Sequence, residues 1–335
     1  MSARDVILAC ALATAFSASE ARATPSRWAK VASPELGRAE ALADQAEQDL
    51  IKATQRRSPL DDALTPSTAY MVRARQVLLE AGAQRSPFVR VRLLLAKIEQ
   101  ALGHHLEASL LFESVAAAPG VADAYLADVW GDLGIVYAHL RLVPREIEAE
   151  ERSIALEPLV PSRSLTLANQ AEAFMGAGDI SRAIAGYKAA LEGLTNTEIA
   201  AIGPTTFFSL GVARDRSGDL DGALEAVARA RSYDPSDRFL RSSSWFFSTP
   251  HDAEWYEALG NWLVGRRGDG DDVRLGGYER AVAAWKRYLA RAPESDPYVG
   301  IAKARLARCE KELAAFADKV SRPTPIEPPR RNQPR

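Results

Sequence analysis

Small residues recur at helical spacing between Leu210 and Pro235, and this spacing limits the folds that the chain can adopt. One helical face of this region, with members at i, i+3, i+4 and i+7, consists of Phe207, Leu210, Gly211 and Arg214. Gly218 supplies the left-handed turn that ends this first helix. Ala223, Val227 and Ala230 then share one face of a second helix. Helices joined by so tight a turn must lie antiparallel, and small residues such as Gly211 and Ala223 let their axes approach closely.

This order of residues resembles the tetratricopeptide repeat, a helix–turn–helix unit of about 34 residues. With the first position of the repeat at Pro204, the matching residues are Leu210, Gly211, Gly218, Asp219, Ala223, Ala230 and Pro235. Arg214 and Val227 stand where the family has aromatic residues. The resemblance implies that several such units stack along the chain, because one unit alone cannot bury both of its apolar faces.

The same pattern recurs in five units, which begin near Val89, Ala127, Ser164, Pro204 and Ala253. The residues that match in the other four units are Leu95, Ala96, Gly103, Ala108 and Phe112; Trp130, Leu133, Gly134, Tyr137 and Pro158; Ala171, Phe174, Gly178, Asp179, Ala183, Tyr187 and Ala190; and Tyr256, Leu259, Gly260, Leu263, Ala281, Trp285, Tyr288 and Pro293. The second unit departs from the family at Glu146 and Glu150, where the pattern has alanine and an aromatic residue. The fold predicted from the resemblance is all-α, a right-handed α-solenoid of helix–turn–helix repeats.

The predicted organisation places this array between two less regular ends. Its parts are a signal peptide (1–23), N-terminal helices or a capping repeat (24–88), the repeat array (89–293), a C-terminal capping helix (294–320) and a disordered tail rich in proline and arginine (321–335). An insertion, "RRGDGDDVRLGG", interrupts the last unit and is expected to be flexible and solvated.

The first 23 residues combine the features of a leader for export. Arg4 precedes an apolar run from Val6 to about Ala15, and the segment closes on Ala21-Arg22-Ala23. The run is far short of the ~20 residues that span a bilayer. The expectation is a periplasmic or secreted protein, and the alternative is a frayed amphipathic N-terminus.

The charges and cysteines exclude some classes of function. The formal net charge is −2, from 42 basic and 44 acidic residues, which leaves no footprint for nucleic acid. No second apolar segment is long enough to span a membrane. Without the leader, Cys309 is the remaining cysteine and is expected to be a small buried residue on a helix.

The motifs of catalytic and cofactor sites are absent from the sequence. His104 and His105 are adjacent and are expected to be ordinary surface histidines, since they do not share a helical face. The acidic stretch Gly268–Asp272 lacks the glycine and glutamate of a calcium loop. The expectation is a protein that is not an enzyme and that uses no cofactor and no metal.

In the family, the first helix of each unit lines a concave groove, and the resemblance assigns groove positions in this chain. The candidate groove residues are Arg90, Lys97, Gln100, Asp128, Ile135, His139, Glu172, Met175, Phe208, Asp215, Arg216, Glu254 and Asn261. This groove would be basic at its N-terminal end, apolar in the middle and acidic at the other end. Glu257 beside Asn261 would repel a carboxylate, so no clamp for a peptide C-terminus is expected.

An aromatic segment, Ser242–Val264, carries half of the six tryptophans. Its aromatic residues include Trp245, Phe246, Phe247, Trp255 and Trp262. One interpretation is that they pack over the last two units. The other is an exposed patch that anchors a partner.

The function expected from these features is that of an exported, non-catalytic scaffold or adaptor, which binds a protein or peptide partner in its groove. An extended peptide or a partner helix of mixed character fits best. The alternatives are a self-associating structural or assembly component of the cell envelope, or an accessory regulator of an envelope enzyme. The oligomeric state stays open.

Overall fold

The computed structural model describes residues 60–238, 240 and 249–321, together with six residues between 37 and 45, namely 37–39, 41, 42 and 45. The predicted leader, the tail beyond 321 and three members of the aromatic segment (Trp245, Phe246 and Phe247) lie outside the described residues. Within them the chain is helical and contains no strand. The helices are α1 (Leu60–Glu80), α2 (Val89–Ala101), α3 (His105–Ala116), α4 (Asp123–His139), α5 (Val143–Leu156), α6 (Val160–Gly176), α7 (Ile180–Leu191), α8 (Asn196–Arg216), α9 (Leu220–Tyr233), α10 (Asp252–Arg267), α11 (Asp271–Arg291) and α12 (Val299–Ser321).

The chain divides into two compact units, Met1–Pro250 and His251–Arg335. In the first unit, α2 to α9 form four helix pairs, and each helix from α2 to α8 packs against the helix that follows it in the chain. The pairs α2/α3, α4/α5, α6/α7 and α8/α9 are called the first to fourth repeats. The second unit contains α10, α11 and α12, packed in that order. The all-α fold of stacked helix–turn–helix repeats predicted from the sequence is therefore confirmed.

The fourth repeat shows why its crossing residues are small. A Cβ added to Gly211 would lie 3.0 Å from the carbonyl oxygen of Ala223 and 3.0 Å from a methyl carbon of Val227. Ala223 and Ala230 are themselves fully buried. The predicted close approach of α8 and α9 is confirmed, and it leaves no room for a larger residue at Gly211.

The Gly-Asp pair of the repeat pattern ends one helix and begins the next. Gly178 and Gly218 have φ values of 82° and 98°, a region that residues with a Cβ rarely adopt. The side chains of Asp179 and Asp219 then accept hydrogen bonds from backbone N–H groups of α7 and α9. Capping of this kind satisfies donors that the first turn of a helix leaves open. In the second repeat, Arg141 occupies the left-handed position instead, with φ 59°.

Two boundaries differ from the sequence prediction. Helix α8 begins at Asn196, before Pro204, because Thr195 and Glu198 form a capping box that starts the helix earlier. The insertion in the last unit is mostly helical, so the prediction of a flexible loop is wrong: α10 continues to Arg267 and α11 begins at Asp271. Acidic residues in the first turn of α11 favour a helix N-terminus there.

Aromatic side chains form the core of the second unit. Trp255, Trp262, Trp285 and Tyr288 are all fully buried. The ring of Trp255 meets the rings of Trp285 and Tyr288 edge-on, with 4.9 Å between centroids in both cases. Aromatic rings favour this geometry. Trp255 and Trp262 are therefore core residues and do not belong to an exposed patch, which corrects that hypothesis for these two side chains.

Helix α12 closes the second unit with one apolar face and one charged face. Cys309 is fully buried on its inner side, as predicted. Burial raises the pKa of the Cys309 thiol to about 12, and the nearby charge of Glu312 adds to this. Glu312 in turn accepts hydrogen bonds from Trp262 Nε1 at 2.8 Å and from Arg266 Nε at 2.9 Å. These bonds attach α12 to α10.

Candidate interaction surface

The first helices of neighbouring repeats lie side by side in the first unit. Lys97 on α2 forms an ion pair with Asp132 on α4, with 3.2 Å between Nζ and Oδ2. This ion pair shows that the face of α2 that carries Lys97 and the face of α4 that carries Asp132 lie next to each other. By helical register, Arg90, Asp128 and Ile135 lie on these faces as well.

Asp128, one turn before Asp132, is the exposed carboxylate of this region. Surrounding protein atoms partly desolvate it and raise the pKa of its carboxyl, an effect that Lys97 opposes. The negative charges of Asp132 and Glu157 raise the pKa further. A cationic group of a partner would be attracted to this exposed carboxylate.

Half-buried apolar and charged side chains lie on the first helices of the first three repeats. Leu93, Ile135 and Leu165 are half-buried residues on α2, α4 and α6. Arg90 is half-buried near the start of α2, and Glu172 is half-buried on α6. The first-helix surface is defined by Arg90, Leu93, Lys97, Asp128, Asp132, Ile135, Leu165 and Glu172. Its cations lie on α2 and its carboxylates on α4 and α6.

Six of the predicted groove residues are buried and cannot present side chains to a partner, which corrects their assignment. They are Gln100, Met175, Phe208, Asp215, Arg216 and Glu254, with exposures of 0%, 1%, 3%, 0%, 5% and 6%. Most of them lie in the last turn of a first helix, which is flanked by the connection to the second helix. Phe208 faces its own partner helix, since the guanidinium of Arg231 lies over its ring at 5.9 Å from the centroid.

In the last repeat, the predicted groove residues turn towards α11. Glu254 accepts hydrogen bonds from Arg287 Nε at 2.7 Å and from Arg291 Nη1 at 2.6 Å. Asn261 accepts one from Arg280 Nε at 3.0 Å. These bonds join α10 to α11. Burial excludes Glu254 from a groove, whereas Asn261 is half-buried and its groove assignment stays a prediction. Hydrogen bonds to arginines of α11 hold the side chains of Glu254 and Asn261 close to that helix, which the repeat pattern alone does not predict.

His139 packs against the preceding repeat. Its ring stacks on that of His105, with 4.1 Å between centroids and an interplanar angle of 5°. Burial, and then the neighbouring His105, lower the pKa of His139 to about 4. Burial also lowers the pKa of His105, with a smaller effect of His104. Both rings are neutral at neutral pH, and His105 is a packing residue where an ordinary surface histidine was expected.

A cleft of about 290 Å³ lies between α3, α4 and α5, and the sequence analysis missed it. Trp130 and Tyr137 contribute aromatic faces, and the guanidinium groups of Arg152 and Arg145 lie over them at 4.4 Å and 5.0 Å. The Tyr137 hydroxyl donates to Glu113 at 2.8 Å. The i, i+7 spacing of Trp130 and Tyr137 on α4, matched by Arg145 and Arg152 on α5, is the sequence signal that could have revealed the cleft.

The described residues contain no group of three or more His, Cys, Asp or Glu side chains that is arranged to hold a metal ion. None of the helices seen in the structure is both long enough and apolar enough to cross a membrane.

The fold and the first-helix surface define the class: an all-α protein of stacked helical hairpins. No family model and no curated protein matches the chain. Among solved structures, the chain is similar to a crystal structure of MamA, at 16% identity over 53% of this chain and 96% of that chain, with a TM-score of 0.43. It is also similar to BtubC (BKLC) from P. vanneervenii, at 17% identity over 62% and 93% of the two chains, with a TM-score of 0.46. A second MamA structure gives 16% identity, 60% and 97% coverage and a TM-score of 0.39. At these values the similarities carry no argument about function.

Proposed function

We propose that this protein is a non-catalytic scaffold that binds another protein through the first-helix surface of its first unit. The observation that carries the proposal is the exposed carboxylate of Asp128 on α4, close to the ion pair that joins Lys97 and Asp132 of adjacent repeats. Apolar side chains such as Ile135 and Leu165 offer contact area beside these charges. A site of this composition suits an extended segment or a helix of mixed character.

The charge distribution specifies the orientation of the partner. Arg90 and Lys97 lie on α2, whereas Asp128 and Asp132 lie on α4 and Glu172 lies on α6. A bound segment would therefore place acidic side chains over α2 and basic side chains over α4 and α6. Charge complementarity of this kind contributes to specificity and to the rate of association.

Charge reversal on the surface tests the proposal. We expect Asp128→Lys and Lys97→Glu to weaken capture of the native partner by roughly tenfold or more, because each places like charges in contact. Glu151→Lys is the matched control, since Glu151 is exposed on α5 in the same repeat. Affinity capture followed by quantitative mass spectrometry provides the measurement. Equal capture by all three variants would remove the support for this surface. Alanine at Met175 or Phe208 would be a poor test, since both side chains are buried.

We place the site of action in the cell envelope because residues 1–23 have the features of an export leader. Mass spectrometry of the protein from fractionated cells should find a mature chain that begins after Ala23. Recovery of the chain from the cytoplasm with Met1 in place would contradict export. An accessory regulator of an envelope enzyme is one form of this partner-binding role.

A further inference from the structure

Two glutamates occupy packing positions of the second repeat. Glu146 and Glu150 stand one turn apart on α5, where the repeat pattern has alanine and an aromatic residue. They are 5% and 1% exposed. The Cγ of Glu150 lies 2.6 Å from the position that a Cβ on Gly134 of α4 would take, so its side chain fills the space above that glycine. Its Oε2 atom is buried and has no hydrogen-bond partner.

The third repeat adds negative charge to this pair. Glu172 on α6 acts on Glu146 through its charge. Tyr187 on α7 donates a hydrogen bond to Glu172 Oε2 at 2.6 Å, which holds that carboxylate in place. Three carboxyl groups from two repeats therefore lie near one another at the junction between the second and third repeats.

Both arginines of α5 and two polar side chains of α4 are engaged elsewhere. On α5, Arg145 and Arg152 lie over the aromatic rings of α4. On α4, Asp132 pairs with Lys97 of α2, and Tyr137 donates to Glu113 of α3. Within the described part of the chain, no ion pair joins a cation to Glu146 or Glu150.

The charged form of each carboxyl is therefore disfavoured in the folded state. Burial raises the pKa of Glu146 from an ordinary value of 4.5 to about 8, and the charge of Glu172 adds to this. Burial also raises the pKa of Glu150 well above 4.5, with a further contribution from Glu146. The closed junction holds more protons than an opened one between pH 4.5 and about 8. The stabilisation is thus complete below pH 4.5 and is lost as the pH rises towards 8.

We propose that protonation of Glu146 and Glu150 stabilises the junction between the second and third repeats. Helix α5 packs against α4 and α6 while both carboxyl groups are protonated, and this packing loosens when they ionise. Because Glu172 belongs both to this cluster and to the first-helix surface, loosening would also disturb the binding surface. The regulatory consequence rests on the proposed function, and the structural switch does not.

Hydrogen–deuterium exchange of the full chain tests the switch without any partner. For each carboxyl that must ionise, the equilibrium constant for local opening rises roughly tenfold per pH unit. After correction for the intrinsic pH dependence of exchange, we expect protection of α5 peptides to fall by at least roughly tenfold between about pH 5 and pH 8. Peptides from α9 serve as an internal reference, because the buried residues of that helix are all apolar.

Two variants make the test specific. The double variant Glu146→Gln/Glu150→Gln should keep the protection of α5 constant across this range, while the exposed control Glu151→Gln should behave like the natural protein. If the double variant does not fold, either single glutamine variant should show a shallower pH dependence. An α5 protection that does not fall relative to α9, or that falls equally in the glutamine variants, would overturn the proposal. Either result leaves the test of partner binding unaffected.

Discussion

Single residues explain both the successes and the errors of the sequence interpretation. Gly211 was predictable as a spacer because a helical face with one missing side chain implies a close neighbour. Glu254 was assigned to a groove by register, but Arg287 and Arg291 draw it towards α11. Ion pairs between long side chains have no fixed spacing in the sequence, and so the register alone could not anticipate them.

Substitution of Gly211 tests the helix crossing directly. Gly211→Leu should lower the free energy of unfolding by roughly 1–3 kcal/mol or more, because the added side chain overpacks the contact with Ala223 and Val227. Urea denaturation followed by circular dichroism measures the change. Gly176→Leu is the control, since a Cβ there meets nothing within 4 Å. A Gly211→Leu variant as stable as its control would contradict the close approach of α8 and α9.

At the scale of helices, the existence and the pairing of the helices could be predicted from the sequence, whereas the residues at which several helices begin or end could not. The repeat pattern identified both helices of most repeats, but it matched the second helix of the second repeat poorly because Glu146 and Glu150 depart from it. The start of α8 depends on the capping box of Thr195 and Glu198, a local signal that the interpretation overlooked. In α11, Gly277 approaches the backbone of Gly265 so closely that a Cβ would lie 2.5 Å from its nitrogen. This close packing against α10 favours a helix that continues through Gly276 and Gly277, a glycine pair that by sequence alone would be taken for part of a loop.

The turn between α4 and α5 yields a prediction at this scale. Arg141 adopts a left-handed conformation, φ 59°, where other repeats have glycine. That conformation costs a residue with a Cβ roughly 1 kcal/mol, so Arg141→Gly should stabilise the first unit by about that amount or slightly less. Arg141→Ala is the control, because it removes the same side chain and keeps the Cβ. Thermal and urea denaturation should rank Arg141→Gly as the most stable of the three proteins. A glycine variant less stable than the alanine variant would show that this turn carries no strain.

At the scale of the whole molecule, the described part of the chain places α1 and four stacked helix pairs in one unit and three helices in another. The stacking of repeats was predictable because each hairpin has two apolar faces to bury. The location of exposed side chains was only partly predictable: Lys97 and Asp128 lie on an accessible face, but Asp215 and Arg216 are buried. Exposure in a repeat array depends on the neighbouring elements, which the pattern of a single repeat does not contain.

Site-specific photo-crosslinking in the native host tests the central claim most directly. A photoreactive amino acid at Ile135, on the first-helix surface, should form a crosslink to a discrete partner protein, and Asp128→Lys in the same chain should suppress it. The same amino acid at Glu151, exposed on α5, should give no such product. A crosslink at Ile135 that depends on Asp128 would establish the first-helix surface as the binding site. Absence of a product at Ile135, or the same product from Glu151, would contradict it.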